Sequence, residues 1–372
     1  MFIRNCWYAA AWDIEVPDDS LFTRTLLNEP VLLYRDNRGA VVALENRCCH
    51  RSAPLHLGRK EGDCVRCMYH GLKFDPQGIC VEIPGQAQIP PKTCVKTFPV
   101  VERHRLVWIW MGDPSLANPK DIVDYFWHDS PNWRMKPGYI HYQANYKLII
   151  DNLLDFTHLA WVHPNTLGTE SAAGLKPQIE RDNNGAGTLT ISRWYHNDDM
   201  PNLHKSVASF EGKVDRWQIY QWTPPAFLRM DAGSAPVGTG APEGHRVPEA
   251  VQFRHTSIQT PETETTSHYW FCQARNFELD NEALTEQIYQ NVVVAFEEDR
   301  AMIEAQQKII SQLPDRPMRP IGADAGLNQA RWLIDRLIKA ESDLDQAQAL
   351  RVETDSPVWG HSGRFLSNKE TK

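Results

Sequence analysis

The chain has 372 residues, of which 42% are hydrophobic and 23% are charged, and its formal net charge is −8. This length allows two domains with sizeable cores, and the composition belongs to a globular protein. The negative charge and the lack of a basic run argue against nucleic-acid binding. No apolar run approaches the ~20 residues of a membrane-spanning helix. The N-terminus lacks a signal-peptide pattern. Eight cysteines are few for a chain of this length and are typical of reduced thiols rather than a disulfide framework, so we expect a cytoplasmic protein.

Short β-prone runs separated by turn residues fill the first third of the chain. Residues 31–34, 41–44 and 106–110 are examples, and such runs predict an all-β domain over residues 1–115. The turn-rich stretch 112–119 predicts the domain boundary.

The β domain carries the most informative motif of the chain. Cys48 and His50 form a C-x-H motif, and Cys67 and His70 form a C-x-x-H motif after sixteen intervening residues. Two thiolates and two imidazoles are the ligand set of a Rieske [2Fe–2S] cluster, in which two histidines replace two cysteines on one iron. Neutral imidazoles raise the reduction potential above that of all-thiolate clusters. The motif therefore predicts a centre that accepts electrons readily and passes them to a reaction with oxygen.

Other uses of these residues remain open from the spacing alone. Two cysteines and two histidines also suit tetrahedral zinc. Cys64 and Cys67 form a C-x-x-C pair that, with Cys48 and Cys49 upstream, suggests an all-cysteine zinc site. That arrangement leaves the two histidines unexplained, and adjacent cysteines rarely bind one metal together. The residues can also be buried groups with no metal.

The rest of the chain predicts a second domain of mixed structure over residues 116–345. Its pattern indicates a helix near 146–163, strands across 170–275 and a long helix near 283–312. A further amphipathic helix is predicted over 326–342. The remaining residues 346–372 form a polar tail that we expect to be loosely held.

A second group of metal-binding residue types lies in the first predicted helix. Asn152, Asp155, His158 and His163 fall within twelve positions. On a regular helix the two histidines lie ~140° apart, so they share a metal only through long side-chain reach or a distorted turn. Such a pair alone is a weak signal. Beside a Rieske motif it predicts a mononuclear iron, because two imidazoles and one carboxylate form the facial triad of Fe(II) oxygenases.

The third ligand, a carboxylate, is predicted from the angular positions of residues around the long helix. Asp299 falls on the apolar side, whereas Glu297 and Glu298 are expected to point to solvent. An acid on a buried stripe needs a partner, since unpaired buried charge is costly. We predict Asp299 as the third iron ligand; the alternative is a buried salt bridge, for example with Arg300. The apolar stripe consists of Ile288, Val292, Phe296, Ile303 and Ile310.

These motifs resemble the oxygenase α subunits of Rieske non-haem iron oxygenases over nearly the whole chain. The likeness is strongest to the vanillate and dicamba O-demethylase group, in the phrases at 215–218 (DRWQ), 260–263 (TPET) and 274–277 (ARNF). One departure is Cys49, where these proteins usually have proline. By this resemblance, the cluster ligands are Cys48, His50, Cys67 and His70, the iron ligands are His158, His163 and Asp299, and Asp155 is a bridging acid.

The resemblance also implies an architecture and an assembly. The fold class is α+β, with a Rieske domain followed by a helix-grip domain whose antiparallel sheet surrounds a long C-terminal helix. Three subunits form a ring, in which His70 of one subunit meets Asp155 of the next, and Asp155 in turn holds His158. The chain has no G-x-G-x-x-G dinucleotide motif. Electrons are therefore expected from a separate NAD(P)H-dependent reductase that carries flavin and a plant-type [2Fe–2S] cluster.

The function favoured by the resemblance is O2-dependent oxidation of an aromatic acid. We expect O-demethylation of a methoxybenzoate such as vanillate, with release of formaldehyde. Ring hydroxylation of an aromatic carboxylate is the alternative within the enzyme class. An alternative of another class is a Rieske electron-transfer protein whose second domain has no oxygenase activity.

Residues 165–275 are expected to line the substrate pocket. Arg193, Arg229 and Arg254 are candidate carboxylate clamps, since a planar guanidinium binds a carboxylate through two hydrogen bonds. Each arginine alone is also compatible with a surface or structural role. His255 and Ser257 alternate onto one strand face and are candidates for binding a phenol or carboxylate, although a hydrogen-bonded structural histidine fits equally well.

Overall fold

The computed structural model describes residues 1–163, 176–182, 187–241, 243–245 and 247–354. Within them, an N-terminal β domain precedes a domain in which helices pack on one large antiparallel sheet. The predicted α+β class is confirmed.

The N-terminal domain is built from short antiparallel strands. They are β1 (Trp7–Trp12), β2 (Phe22–Leu26), β3 (Glu29–Arg35), β4 (Val41–Glu45), β5 (Arg59–Glu61), β6 (Cys64–Arg66), β7 (Lys73–Phe74), β8 (Cys80–Glu82), β9 (Val100–Arg103) and β10 (Leu106–Trp110). They form three sheets, with strand orders β1-β10-β9, β2-β3-β4 and β5-β6-β7-β8. The β-prone runs at 31–34, 41–44 and 106–110 all lie in these strands, so this part of the prediction is confirmed.

The second domain is organised around one long sheet. Its strands are β11 (Gly138–Tyr142), β12 (Gln178–Asp182), β13 (Thr188–Asp198), β14 (Val214–Thr223), β15 (Phe227–Pro236), β16 (Val251–Pro261) and β17 (Ser267–Arg275). Their order in the sheet is β11-β17-β16-β15-β14-β13-β12, and all neighbours are antiparallel. The helices are α1 (Tyr146–Leu154), α2 (Leu159–Val162), α3 (Asn202–Lys205), α4 (Glu282–Gln312) and α5 (Ala325–Thr354).

The long helix α4 matches the predicted helix at 283–312. It starts after Asn281, whose side-chain oxygen accepts a hydrogen bond from the Leu284 amide and so satisfies one otherwise unpaired donor. The predicted apolar stripe packs against the sheet through residues such as Val292, Phe296 and Ile303. Phe296 meets Phe271 of β17 with ring centroids 5.0 Å apart. Asp299 therefore reaches the interior on the buried side of this helix.

The prediction of one continuous helix over 146–163 is wrong. Helix α1 ends at Leu154, and Asp155 has extended backbone with φ −105° and ψ 110°. The Asp155 carboxylate accepts hydrogen bonds from the backbone N–H (2.8 Å) and hydroxyl (2.7 Å) of Thr157. Such local side-chain bonds compete with helical hydrogen bonds and favour a break. The chain resumes a helical course only in the short α2.

Helix α5 extends beyond the predicted helix at 326–342. It continues through Thr354, past residue 346 where a polar tail was expected to begin. The rest of the predicted tail, 355–372, lies outside the described residues. In the part of the chain that the structure covers, no helix combines the length and apolarity needed to cross a membrane.

Aromatic packing and hydrogen bonds join the two domains. The ring of Trp108 in β10 meets that of Phe227 in β15 edge-on, with centroids 5.5 Å apart. Trp12 donates an indole hydrogen bond of 2.9 Å to the carbonyl of Gly138. These buried contacts fix the orientation of the Rieske motif relative to the large sheet within one chain.

Candidate metal centres and active-site cavity

The four predicted cluster ligands lie on two neighbouring loops of the N-terminal domain. Cys48 and Cys67 are buried, each 2% exposed, and their thiols are hydrogen-bonded to each other. His50 and His70 are exposed, with ring centroids 4.5 Å apart. The two buried thiols would hold one iron of a Rieske cluster, and the two exposed imidazoles would hold the other.

The two loops share one backbone geometry. The fourth residue after each cysteine donates its N–H to that cysteine's carbonyl, from Ser52 to Cys48 at 3.0 Å and from Gly71 to Cys67 at 2.9 Å. Both residues have left-handed backbone, with φ 57° at Ser52 and 80° at Gly71. A Cβ on Gly71 would also lie 2.5 Å from Cγ of Pro84. Glycine is therefore required at position 71 for two separate reasons.

The all-cysteine zinc arrangement receives no support from this geometry. The buried thiol contact joins Cys48 to Cys67, whereas Cys49 is exposed and Cys64 is half-buried. The two exposed imidazoles belong to the same two loops as the thiol pair and contact each other, so the loops together offer two cysteines and two histidines.

The three predicted iron ligands converge in the second domain. One ligand atom each from His158, His163 and Asp299 lies within 4.8 Å of the others. Oδ1 of Asp299 is 3.1 Å from Nε2 of His163 and 3.6 Å from Nε2 of His158. His158 stands at the N-terminal end of α2, and His163 follows its C-terminal end with non-helical backbone (φ −118°, ψ 44°), so the pair does not keep the ~140° separation of a regular helix. These residues fit a mononuclear iron held on one face by two imidazoles and a carboxylate.

The other ring nitrogens of both histidines are already occupied. Nδ1 of His158 donates to the backbone carbonyl of Asp155. Nδ1 of His163 donates to Oε2 of Glu298 at 2.7 Å. Partners on Nδ1 fix the tautomer that leaves Nε2 free to bind a metal. Glu298 was predicted to point to solvent, and that prediction is wrong.

Asp299 has a polar partner besides the histidines. Its side chain is 6% exposed, and Nδ2 of Asn152 donates to Oδ1 at 2.9 Å. The alternative of a salt bridge with Arg300 is not observed, because Arg300 pairs with Glu297 on the outer side of the helix. Asn152 therefore orients the carboxylate that faces the two imidazoles.

Asp155 contacts His158 differently from the sequence-based expectation. The contact is made by the main-chain carbonyl, while carboxylate Oδ1 accepts both hydrogen bonds from Thr157. The carbonyl is available because Asp155 caps the end of α1, where carbonyl groups lack helical partners. Within one chain the Asp155 carboxylate thus lies beside the iron ligands without holding His158.

A cavity extends from the proposed iron site along the inner face of the large sheet. Its apolar lining includes Phe156, Leu203, Met230, Ala232, Val292 and Phe296, and its polar lining includes Asn152, Asp155, His204, Arg216, Gln218, His255 and Gln273. A mostly apolar cavity with few polar groups is typical of a small-molecule site.

His255 lies where the sequence pattern placed it. Its Nδ1 donates to Oε1 of Gln273 at 2.8 Å, and its Nε2 is 2.8 Å from Oγ of Ser257. Ser257 does not line the cavity; its hydroxyl is 2.7 Å from that of Tyr269, behind the histidine. Burial lowers the pKa of His255 to about 4, so the cavity contains a neutral imidazole at this point.

The three candidate arginines do not line the cavity among the described residues. Arg229 lies on the opposite face of β15 from Met230, because strand side chains alternate, and it reaches the carbonyl of Asp124 at 3.4 Å. Arg254 pairs with Asp231 at 3.1 Å. The guanidinium of Arg193 lies over the ring of Phe156, 4.4 Å from its centroid. The prediction of Arg229 as a substrate residue is therefore wrong.

Arg216 and His204 are cavity residues that the sequence analysis missed. Nε of Arg216 donates to Asp198 at 2.8 Å, and its guanidinium stacks 3.6 Å over the ring of Tyr195. Nδ1 of His204 is 2.7 Å from Oγ of Ser234, the residue that pairs with Arg216 across β14 and β15. Burial, reinforced by the charge of Arg216, lowers the pKa of His204 to about 3. The alternation of Arg216, Gln218 and Tyr220 along β14 was the signal available in the sequence.

Two family models match the chain. The Rieske [2Fe-2S] domain matches residues 6–99, and the vanillate O-demethylase oxygenase C-terminal domain matches residues 142–340. The chain belongs to the vanillate O-demethylase oxygenase family. This oxygenase is 82% identical to the iron–sulfur subunit of a toluene-4-sulfonate monooxygenase system of Comamonas testosteroni, over 92% of this chain and 99% of that protein.

More distant relatives agree with this placement. The vanillate O-demethylase oxygenase subunit of a Pseudomonas species is 35% identical, over 93% of this chain and 98% of that protein. A crystal structure of dicamba monooxygenase with non-heme iron and dicamba has a TM-score of 0.78 and 31% identity, covering 92% of this chain and 99% of the other.

Family membership and the two sites establish the enzyme class and its cofactors. The protein is a Rieske non-haem iron oxygenase with a [2Fe–2S] cluster and a mononuclear iron. It is the oxygenase component of a system that also requires O2 and a reductase. The zinc alternatives and the electron-transfer-only alternative are thereby rejected. The individual ligands remain predictions that the geometry supports.

Proposed function

We propose that this protein is the terminal oxygenase for an aromatic acid whose oxidised carbon lies across the ring from its acidic group. The substrate class is an arenesulfonate such as toluene-4-sulfonate. The observation that carries the proposal is the position of Arg216 and His204 in the cavity that begins at the iron triad. The 82% identical relative, whose name specifies toluene-4-sulfonate, supports the same class.

The dimensions of the sheet support a para-substituted ring. Tyr220 lies near the iron end, because its ring contacts Phe156 with centroids 4.2 Å apart. Arg216 is four residues away on β14, or ~13 Å at about 3.3 Å per residue. A benzene ring with two opposite substituents fits between these positions, with its anion at Arg216 and its methyl group toward the iron.

The groups at the far end suit an anion. The guanidinium of Arg216 supplies positive charge that Asp198 partly offsets. A neutral imidazole has one donor and one acceptor nitrogen, so His204 can accept from Ser234 and donate to the substrate through Nε2. A further donor is close, because Oε1 of Gln218 accepts from the Tyr195 hydroxyl at 3.0 Å and its amide nitrogen Nε2 is a donor.

The reaction balances with O2 and a two-electron donor. One oxygen atom enters a C–H bond of the methyl group to give an alcohol, and the other leaves as water with two electrons and two protons. When bound, the mononuclear iron supplies the oxygen chemistry. The protein places the methyl group and excludes competing water through the apolar side chains of Phe156, Val292 and Phe296.

O-demethylation of a methoxybenzoate is the second candidate. The same oxidation at a methoxy carbon gives a hemiacetal that collapses to a phenol and formaldehyde. The likeness to vanillate O-demethylase supports it, and the His255–Gln273 pair offers a hydrogen-bonding site for a phenol oxygen. Ring hydroxylation remains the third candidate.

The proposed electron route runs between subunits of a trimer. His70 and its neighbours are exposed, with Met68 at 54% and Tyr69 at 61%. Near the iron site, Trp161 is 80% exposed. Apolar groups exposed beside both metal sites suit an interface between copies, in which His70 of one subunit would meet Asp155 of the next. A cytoplasmic reductase with flavin and a plant-type [2Fe–2S] cluster would deliver the electrons.

A substrate panel tests the proposal. The purified oxygenase, an NADH-dependent reductase and O2 are combined with toluene-4-sulfonate, 4-methylbenzoate, vanillate or 4-methoxybenzoate. Oxygen uptake, formaldehyde and the aromatic product are measured, with hydrogen peroxide as the control for uncoupled turnover. We expect toluene-4-sulfonate to give the benzylic alcohol with the highest kcat/KM.

Formaldehyde from vanillate without oxidation of toluene-4-sulfonate would favour O-demethylation instead. A phenolic product that retains the methyl group would indicate ring hydroxylation.

A further inference from the structure

We propose that Glu298 is a positioning residue of the mononuclear iron site, which it serves by holding His163. This inference rests on the proposed ligand set of the oxygenase. Oε2 of Glu298 accepts a hydrogen bond of 2.7 Å from Nδ1 of His163. The imidazole is almost fully buried, with its side chain 1% exposed, whereas Glu298 is 33% exposed.

The contact determines which nitrogen faces the metal. A neutral histidine carries one N–H, and a carboxylate at Nδ1 keeps the proton there. Nε2 is then left unprotonated to bind a metal ion beside Oδ1 of Asp299, which lies 3.1 Å away. Without Glu298, the buried Nδ1–H loses its charged acceptor, and the tautomer protonated at Nε2 becomes competitive. That tautomer cannot bind iron through Nε2.

The two histidines are held in different ways. His158 donates to the main-chain carbonyl of Asp155, a neutral acceptor that side-chain substitution leaves in place. His163 donates to a negatively charged side chain, which makes its other nitrogen a stronger donor to a metal. Glu298 is also adjacent to Asp299 on α4, so one turn of that helix provides a ligand and holds a second one.

Glu297 provides a matched control on the same helix. It is the same residue type, is 41% exposed and pairs with Arg300. A carboxylate lost at position 297 changes the net charge as much as one lost at position 298. It does not remove a partner of a metal ligand, so a difference between the two variants reports the contact with His163.

The experiment measures iron retention in the holoprotein, without turnover. Wild type, Glu298→Ala, Glu298→Gln, Glu297→Ala and His163→Ala are purified anaerobically and dialysed against a graded ferrous chelator. Mononuclear iron is measured chemically and by electron paramagnetic resonance of its nitric oxide adduct. The visible spectrum of the Rieske cluster reports folding.

We expect Glu298→Ala to bind ferrous iron about 10–100-fold more weakly than Glu297→Ala, with an unchanged cluster spectrum. Glu298→Gln should lie between them, because an amide oxygen is a weaker acceptor. Equal affinities of Glu298→Ala and Glu297→Ala would overturn the inference. Full iron retention in His163→Ala would overturn the ligand set itself. If Glu298→Ala loses the cluster spectrum, a further variant, Glu297→Gln, is compared with Glu298→Gln, and equal iron affinities of these two would overturn the inference.

Discussion

Asn152 donates a hydrogen bond of 2.9 Å to Oδ1 of Asp299 and joins α1 to α4 at the iron site. The bond satisfies one lone pair of a buried carboxylate and sets its orientation toward both imidazoles. We expect Asn152→Ala to weaken ferrous iron binding by about tenfold or more, because hydrogen bonds to charged groups contribute roughly 1.5–3 kcal/mol. Iron titration of the apoprotein measures this, and an unchanged affinity would show that Asp299 needs no such partner.

The metal content should separate the two sites. As-purified protein should contain about three irons per chain, two in the Rieske cluster and one mononuclear. Asp299→Ala should contain about two, keep the cluster spectrum and lose turnover. Iron analysis and visible spectroscopy on the same samples measure both values. Unchanged iron in the variant would mean that another acid is the third ligand.

Asp155→Asn should separate electron transfer from iron binding. The main-chain carbonyl of residue 155, not the carboxylate, holds His158, so we expect full iron occupancy in the variant. If the carboxylate bridges to His70 of another subunit, cluster reoxidation should slow strongly in a single turnover of pre-reduced protein with substrate and O2. Thr157→Ala removes the hydroxyl that bonds the carboxylate within the chain, keeps the backbone N–H bond, and should reoxidise normally. Wild-type reoxidation in Asp155→Asn would refute the bridge, and an active monomer would refute the route between subunits.

His204→Phe should raise the KM for an arenesulfonate more than it changes kcat. The substitution keeps a ring against Phe253, whose centroid lies 5.3 Å from that of His204, but removes the donor proposed for the anion. A lost hydrogen bond to a charged group predicts an increase of about tenfold or more. Steady-state kinetics with toluene-4-sulfonate measure KM and kcat separately. Ser234→Ala, which keeps the imidazole, should raise KM less. Equal KM values for His204→Phe and wild type would place the anion elsewhere.

The protein should lose stability as the pH falls below 6.5. Burial lowers the pKa of His128 to about 3, and that of His255 and His268 to about 4. Each of these histidines takes up a proton near pH 6.5 in the unfolded chain, but only near its lowered pKa in the folded protein. Its contribution to the free energy of unfolding is therefore complete above pH 6.5 and is lost as the pH falls toward the folded pKa. At pH 5 the loss for a fully buried histidine is ~2 kcal/mol.

Thermal unfolding at pH 7.5 and pH 5 measures this loss. His128→Phe should narrow the difference in Tm between the two pH values, although it lowers Tm at both because His128 bonds Thr256 at 2.8 Å. The exposed His196→Gln is the matched control. The same pH dependence in His128→Phe and wild type would contradict the role of burial.

The sequence predicted the elements whose patterns are local. The short strands of the N-terminal domain and the full length of α4 followed from alternation and from helical periodicity, and Asp299 was found because it occupies a position on the apolar stripe. The prediction that Glu298 points to solvent was wrong, because a residue at the edge of the apolar stripe of a helix is exposed or buried according to what packs beside it. His163 is that neighbour, and its position depends on a tertiary arrangement.

The break after α1 was beyond a periodicity argument for a different reason. The residues around Asp155 have the composition of a helix, and the competing hydrogen bonds join residues only two apart, Asp155 and Thr157, so they leave the pattern of apolar residues unchanged. Residue type alone favours any arginine of the predicted strands as an anion-binding group. The alternation of side chains along each strand instead keeps Arg229 out of the cavity and brings Arg216 into it.

The matched cluster loops differ in how much substitution they tolerate. Ser52 and Gly71 occupy equivalent left-handed positions, but only Gly71 has Pro84 against the space of a missing side chain. Glycine at position 52 would relieve a conformational cost of about 1–2 kcal/mol, whereas alanine at position 71 would add that cost and a collision. Random mutagenesis of this oxygenase should therefore recover many residues at position 52 and glycine alone at position 71. The two cluster-binding loops should thus accept substitutions at unequal rates.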